Sequence, residues 1–462
     1  MDPIEVFVDV AQSTTYGDIS VSTLKSTKKI LVDFFGVMLG GTASRQAEMS
    51  AELARKWGGS PDSTILRTGL KAPAALAVLA NCTAGRSLDY DDVHEQAHLH
   101  ATVAVVPPAL ALSETTRVTG ENFIVSTVIG FELLARLGLA ITVGPGATGM
   151  STTYQGASLA TAVVGAKILE FDADLTRNAT GIAYSQLAGT QQVIREGVDM
   201  MVIQQGISGM SGMIALDMAR MGVTGPKEVL TGKYGYFPVY HLGRNDINAF
   251  TEGLGDGWEI ERTSIKPFPC CKLIHTALQA ALDLKEEYSL VVEDIAEVQV
   301  GINTEDYAMV CEPLDLKRHP ETVVDGIYSV PYVLGAGLFN GSVGISDFTE
   351  KGVRRPEVLS VAEIITPVKD ETLPKYTEKG IPAWVAINTK DGRELKRYRE
   401  GVVGSPSMPM SMEEQYEKFL DCARYGGYSK GVCNDIFEAL QSIEEMGDLS
   451  DLVKLCSRHD VK

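Results

Sequence analysis

Basic residues are scarce in this chain. Its 41 lysines and arginines stand against 60 aspartates and glutamates, a formal net charge of -19. Contact with a phosphate backbone needs a basic footprint, so the balance argues against a nucleic-acid partner; a small acid held by a few converging cations remains compatible with it. Long apolar runs are also missing, the longest being broken by charge before about 18 residues, which argues against a membrane span. The seven cysteines at 82, 270, 271, 311, 422, 433 and 456 are an odd, scattered set that does not read as a disulfide framework. Met1 to Tyr16 lacks the apolar core and small-residue cleavage site of an export signal. Together these lead us to expect a reduced, cytoplasmic setting. Familiar catalytic signatures are lacking too: there is no HExxH zinc helix and no GxSxG elbow, and no strand precedes Gly206, Gly209 and Gly212 as a nucleotide loop requires. Internal repeats, low-complexity tracts and Gly/Ser linkers are absent.

What is present is an ordinary globular composition, 45% apolar and 22% charged over 462 residues, long enough for two domains at roughly 100 to 200 residues each. Leu24, Leu31, Phe35 and Met38 share a helical face that ends at Gly40-Gly41, and Met49, Leu53 and Trp57 repeat the spacing up to Gly58-Gly59. Pro73 suits the first turn of a third helix, with Leu76 and Leu79 facing inward. Asn122 can cap a helix carrying Ile124, Val128, Phe131 and Ala135 on one stripe, supported by a Glu132 to Arg136 pair. Segments 156–169 and 206–220 carry small residues at helical spacing, which reads as close helix packing. Residues 1–262 are therefore expected to be almost wholly helical.

After Thr263 the character changes. Val298, Val300 and Ile302 alternate with polar residues as in a half-buried strand, and Val385 with Ile387 does so ahead of the hairpin signal Asp391-Gly392. A helix is expected around Tyr332 to Phe339. From Ser411, which has capping-box spacing to Glu414, helical periodicity returns through Phe419, Ile436, Leu440 and Ile443. The fold expected is mainly α: a large, discontinuous helical domain from residues 1–262 and 405–462, and a smaller α+β domain over 263–404.

Two stretches could carry chemistry. Asp89-Tyr90-Asp91-Asp92-Val93-His94-Glu95-Gln96-Ala97-His98-Leu99-His100 holds three of the seven histidines between two apolar segments, either as a site or as an exposed connection. Histidine titrates nearest neutrality, so a neighbouring carboxylate can set its protonation for acid/base work. His94 and His98 are four apart and could share a helix face with His100 or Asp91 as a third metal ligand, but the spacing is not a recognised one and we expect no metal. The second stretch, Lys266-Pro267-Phe268-Pro269-Cys270-Cys271-Lys272-Leu273-Ile274-His275, offers positive charge to a carboxylate where the composition shifts. Its alternative is a rigid proline turn with two buried thiols. Adjacent cysteines without a second pair do not make a zinc site.

In order along the chain, the Asp89 to His100 segment with Pro107, Gly225-Pro226-Lys227-Glu228-Val229-Leu230-Thr231-Gly232, Lys266 to Cys271, Tyr328-Ser329-Val330-Pro331-Tyr332 and Asn340-Gly341 with the C-terminal Pro409 to Phe419 resemble the MmgE/PrpD family. That family includes 2-methylcitrate dehydratase, cis-aconitate decarboxylase and iminodisuccinate epimerase. The resemblance implies a helical domain with an α+β lid, a homodimer, and cofactor-free, metal-free chemistry on a small carboxylate between the two. It matches Asp89 and His100 to an aspartate and a catalytic histidine, Lys266 to a lid lysine, His275 to a histidine nine residues on, and Tyr332 to a lid tyrosine. Removing a proton beside a carboxylate leaves an enolate-like anion that lysine or imidazolium can stabilise.

Departures from the pattern bear on the reaction. Ser151, with Tyr154 close by, stands where a histidine is expected; Met201 and Ile203-Gln204-Gln205-Gly206 replace a lysine and a Leu-His-x-Gly element; Cys271 takes another histidine position. Arg195 is the nearby candidate to replace a lost cation. The expected function is a lyase of the 2-methylcitrate dehydratase or cis-aconitate decarboxylase kind, with His100 as acid/base, Lys266 as carboxylate or enolate partner, Tyr332 and His275 positioning or relaying protons, and Asp89 orienting the histidine region. Arg195 and Cys271 join the substrate-binding set. The alternatives are an epimerase using Tyr154 and Lys266, and a member that only binds its ligand.

Overall fold

The computed structural model describes residues 1–458. Chain contacts divide them into two units: the first takes Met1–Gln191, Val202–Thr263 and the chain from Ser411, the second Gln192–Met201 and Ser264–Met410. The short segment Gln192–Met201, placed among the helical residues by the sequence reading, thus clusters with the second unit.

The first unit is built of helices α1 (Pro3–Ser13), α2 (Val21–Gly41), α3 (Arg45–Trp57), α4 (Ala74–Arg86), α5 (Val106–Ser113), α6 (Gly120–Ala140), α7 (Thr152–Ile168), α8 (Ala173–Tyr184) and α9 (Met200–Arg220). Side-chain oxygens begin most of them: Asp2, Ser20, Ser44, Thr119 and Asp172 each accept from a first-turn N–H, satisfying donors that the helix itself leaves over. Thr119, three residues before the expected Asn122, caps α6. Pro73 stands immediately before α4. Two short strands, β1 (Ser63–Ile65) and β2 (Leu70–Ala72), pair antiparallel between α3 and α4, an exception to the expected all-helical run.

In α3 the expected face is wrong. Met49 and Trp57 are exposed, while Ala47, Ala51 and Ala54 are buried where α3 packs on α4. Small side chains allow that close approach, and size outweighs hydrophobicity there. The expectation that no segment could span a membrane is also corrected. The 21 residues of α6 pass that test by length and composition, yet α6 is a buried helix of this unit. Its Glu132–Arg136 pair is internal, with N–O 2.5 Å, and Arg136 also donates to the carbonyls of Phe250 and Glu252, so the buried charges are compensated as burial requires.

The second unit holds a four-stranded sheet from β3 (Ile295–Asn303), β4 (Ile365–Asp370), β5 (Ala383–Thr389) and β6 (Glu394–Arg399), in the order β4-β3-β5-β6. β3 runs parallel to β4 and antiparallel to β5, and β5 pairs antiparallel with β6 across the Asp391-Gly392 turn. Helix α10 (His275–Glu287) covers β5 and β6, and α11 (Val330–Asn340) packs on α10 and on α12 (Pro356–Glu363).

The chain then returns to the first unit through α13 (Met412–Tyr425) and α14 (Lys430–Gln441). Ser411 and Glu414 form the expected capping box. α13 lies along α2 so closely that a Cβ on Gly36 would sit 2.8 Å from the Phe419 backbone and one on Gly40 2.6 Å from the Cys422 carbonyl. The fold is thus mainly α, with a smaller α+β part.

Candidate active site

Helix α4 ends on Arg86, whose side chain is buried. The chain then turns through Asp89 at φ +46°, a left-handed conformation that aspartate tolerates better than most residues. That turn brings the Asp89 carboxylate onto the Arg86 guanidinium. Asp91 accepts from the same guanidinium at 2.9 Å. Two buried carboxylates thereby share one permanent cation.

His100 is organised by Asp91 and Asp92 instead of Asp89. Its Nδ1 lies 2.8 Å from the Asp92 carbonyl and 3.3 Å from the Asp91 carboxylate. A carbonyl accepts only, as does a carboxylate in its ionised form, so Nδ1 carries the hydrogen of the neutral ring and Nε2 is its basic nitrogen. The His100 backbone N–H donates to Thr153 Oγ1 at 3.1 Å, which ties the segment to the first turn of α7. One residue on, the buried Tyr154 hydroxyl is hydrogen-bonded to Gln204 and Arg86; burial raises its pKa, while Arg86 and Gln204 draw it down. The structure therefore brings Asp89, His100 and Tyr154 together around Arg86, a residue the sequence reading did not single out. A lone arginine at a helix end carries no spacing signal.

His94 has a different part. Its Nε2 faces Glu259 at 3.0 Å and its Nδ1 accepts from the Ala97 N–H at 3.2 Å. Both ring nitrogens therefore have protein partners, and the segment is a turn closed by a His94–Leu99 bridge in place of a helix face. Among the described residues no group of three or more His, Cys, Asp or Glu side chains is arranged to hold a metal.

Behind the histidine lies Asp92, fully buried. Burial first, then the charges of Asp91 and Asp33, push its carboxyl up to about 7, against an opposing pull from Thr102. Asp33 is itself paired with Lys418 at 2.5 Å, and Lys418 donates to the Tyr90 carbonyl. A carboxyl whose folded pKa is raised binds a proton on folding, so its full stability is present below about pH 4 and drains away as the pH climbs towards 7. Asp92→Asn is expected to remove that slope and to stabilise the protein at pH 8 by up to about 4 kcal/mol. Urea unfolding at pH 5 and pH 8 measures it, and a variant that keeps the wild-type difference between the two would refute the assignment.

In the second unit, Lys266 is fully buried. The Ile265 N–H donates to the Gly404 carbonyl at 2.8 Å, and Gly404, at φ +99°, has no room for a Cβ against the Ile265 carbonyl, so only glycine lets the two strands of chain meet. Cys271 donates its N–H to the Ile327 carbonyl at 3.1 Å. His275 is buried with Nε2 3.0 Å from the Cys270 carbonyl and its ring edge-on to Phe268, a clip on the proline turn. The Tyr332 hydroxyl donates to the Asp347 carbonyl at 2.6 Å, its ring packs on Phe348 and it is fully buried.

A lysine that the sequence reading missed lies nearby. Lys317 is buried and donates to the Tyr328 carbonyl at 2.6 Å. Burial pulls its pKa down to about 8; Cys271, Asp325 and Cys311 oppose this and Arg195 adds to it. Cys271 and Arg195 therefore stand within electrostatic reach of one lysine. Gly197, two residues past Arg195, is held against Thr322 and Asp325. The burial of Lys317, shared with Lys266, Lys272 and Lys418, is a tertiary property that no sequence spacing reports.

The MmgE/PrpD N-terminal domain matches residues 5–247 and the MmgE/PrpD C-terminal domain residues 268–439. Among curated proteins, the cis-aconitate decarboxylase of Aspergillus terreus is 24% identical over 96% of this chain and 94% of its own length. A cis-aconitate decarboxylase-like protein, oryM, of Aspergillus oryzae is 23% identical over 95% and 94%, and the cis-aconitate decarboxylase of Mus musculus 24% identical over 98% and 92%. With both domain models matched in order over most of its length, this chain belongs to the MmgE/PrpD family.

Proposed function

We propose that this protein is a lyase that abstracts an α-proton from a small carboxylic acid, by a reaction of the kind its relatives' names describe. The observation that carries the reading is the His100 imidazole, its Nδ1 held by the Asp92 carbonyl and the Asp91 carboxylate, which fixes the tautomer and leaves Nε2 as the proton acceptor. Lys266 and Arg195 are assigned to the substrate carboxylate or the enolate it becomes. Lys317, held by the Tyr328 carbonyl near Cys271, joins them as a cation whose proton is easily given up. A homodimer belongs to this reading and is checked by sedimentation.

One observation favours an isomerase as the second reading. Burial raises the Tyr154 pKa and keeps the phenol protonated, with Arg86 beside it, as a proton donor on one face of a carbon requires. Incubation with candidate acids in heavy water separates the two. A lyase gives an unsaturated product with loss of water or carbon dioxide, whereas an epimerase exchanges an α-hydrogen and keeps every heavy atom. A protein that does neither on any acid tested overturns both.

A further inference from the structure

The C-terminal helix α13 reaches the active-site segment through one side chain. Lys418 is buried; its ammonium pairs with Asp33 of α2 at 2.5 Å, donates to the Tyr90 carbonyl at 2.9 Å and stands 4.0 Å from the centre of the Tyr90 ring. Carboxylate, carbonyl and ring face thus converge on a single cation, each a favourable partner for it. The root of the side chain is fixed too, since the backbone of the next residue, Phe419, lies where a Cβ on Gly36 would come within 2.8 Å of it. Lys28 supplies a comparison. It also ties α2 to the C-terminal chain, pairing with Glu444 and donating to the Gln441 carbonyl at 2.6 Å, but both of these partners lie outside residues 86–100.

What Tyr90 carries sets Lys418 apart. Tyr90 lies between Asp89 and Asp91, whose side chains share Arg86, and the Asp91 carboxylate and the Asp92 carbonyl are the acceptors at His100 Nδ1. Arg86 grips this segment by its side chains, and a carboxylate can follow a guanidinium while its own peptide turns about φ and ψ. Lys418 grips the main chain, two peptide units before the Asp92 carbonyl. A displacement of about 1 Å there carries the 2.8 Å contact with Nδ1 out of hydrogen-bonding range. The Asp91 carboxylate, already 3.3 Å away, is looser still.

We propose that Lys418 is a positioning residue of the active site: from the C-terminal helix it clamps the Tyr90 main chain, so that Asp91 and the Asp92 carbonyl hold His100 in one tautomer. The inference rests on the reading of His100 as the acid/base, and it gives the last helices a part in the chemistry as well as in folding. Nitrogen-15 NMR of the full chain with labelled histidine, at pH 8, tests it without a substrate; the His100 signals are those lost in His100→Gln. Wild type is expected to show one tautomer, with Nδ1 protonated and Nε2 bare. In Lys418→Met both signals should move to the intermediate positions of a ring that exchanges tautomers. That variant strands the Asp33 charge, so Asp33→Asn/Lys418→Met, which removes both members of the pair, is measured beside it and should show the same change. The tautomer is read in place of a titration midpoint because the Asp33 charge also bears on Asp92. Lys28→Met is expected to lower the urea midpoint and leave the tautomer alone. On an acid that wild type turns over, the double variant should lose up to about 10²-fold in kcat, as a misplaced base does, with KM little changed. A single tautomer in the double variant, a mixed one in wild type, or a mixed one in Lys28→Met as well overturns the proposal; turnover by wild type under any of these leaves the proposed function standing. A tautomer freed only by loss of Lys418, in a protein that turns over no acid, upholds the clamp and overturns the function.

Discussion

His100→Gln lowers turnover of the acid identified in heavy water by about 10²–10⁴-fold, the range for loss of a positioned general acid or base. Glutamine keeps a polar group near the Asp92 carbonyl and removes the basic Nε2. Asp91→Asn is expected to cause a smaller loss of the same kind. The Asp92 carbonyl still holds the tautomer, but an amide beside Nδ1 lacks the negative charge that stabilises the imidazolium formed on proton abstraction. Steady-state rates of the two variants against wild type check both statements. Full turnover by His100→Gln removes the histidine from the mechanism and moves attention to Tyr154.

The second large effect is on stability. Arg86→Met leaves Asp89 and Asp91 buried without their shared cation, and breaking a buried pair from one side costs about 3–5 kcal/mol. Asp89 has the most to lose, since Asp91 retains the imidazole of His100. The double variant Arg86→Met/Asp89→Asn is therefore expected to recover part of the loss, because the stranded charge has gone. Urea midpoints of the three proteins form the comparison. A single variant as stable as wild type, or a double variant no better than the single, would show that the Arg86 network does not bear on folding.

Much of the helical framework is legible in the sequence, because periodicity reports directly on which residues face a core. α2, α6 and α13 follow the Leu24–Met38, Ile124–Ala135 and Ser411–Phe419 patterns closely. Periodicity fails in α3, where contact with α4 selects Ala47, Ala51 and Ala54 over the larger Met49 and Trp57. It is silent on β1 and β2, three residues each, too short for an alternation to register. The site divides in the same way. Family position singled out Asp89, His100, Tyr154 and Lys266, yet which aspartate meets the imidazole depends on the path of the 87–100 turn, and the turn contains two left-handed residues, Asp89 and His98. Gln205 is read only as part of the Ile203–Gly206 departure; its burial is a property of how α9 lies on α4 and α7.

The pairing of α2 with α13 sets an order on biosynthesis. The face of α2 that Phe419 and Cys422 cover is made early, and its partner is about 370 residues further along the chain. At 5–20 residues per second, α2 waits roughly 20–75 s for α13 to be synthesised. Contacts of such sequence separation are slow to close. Throughout that interval the strip of α2 around Asp33, Gly36 and Gly40 has no C-terminal helix to bury it, so the nascent chain is expected to need holdase chaperones until its last 50 residues appear.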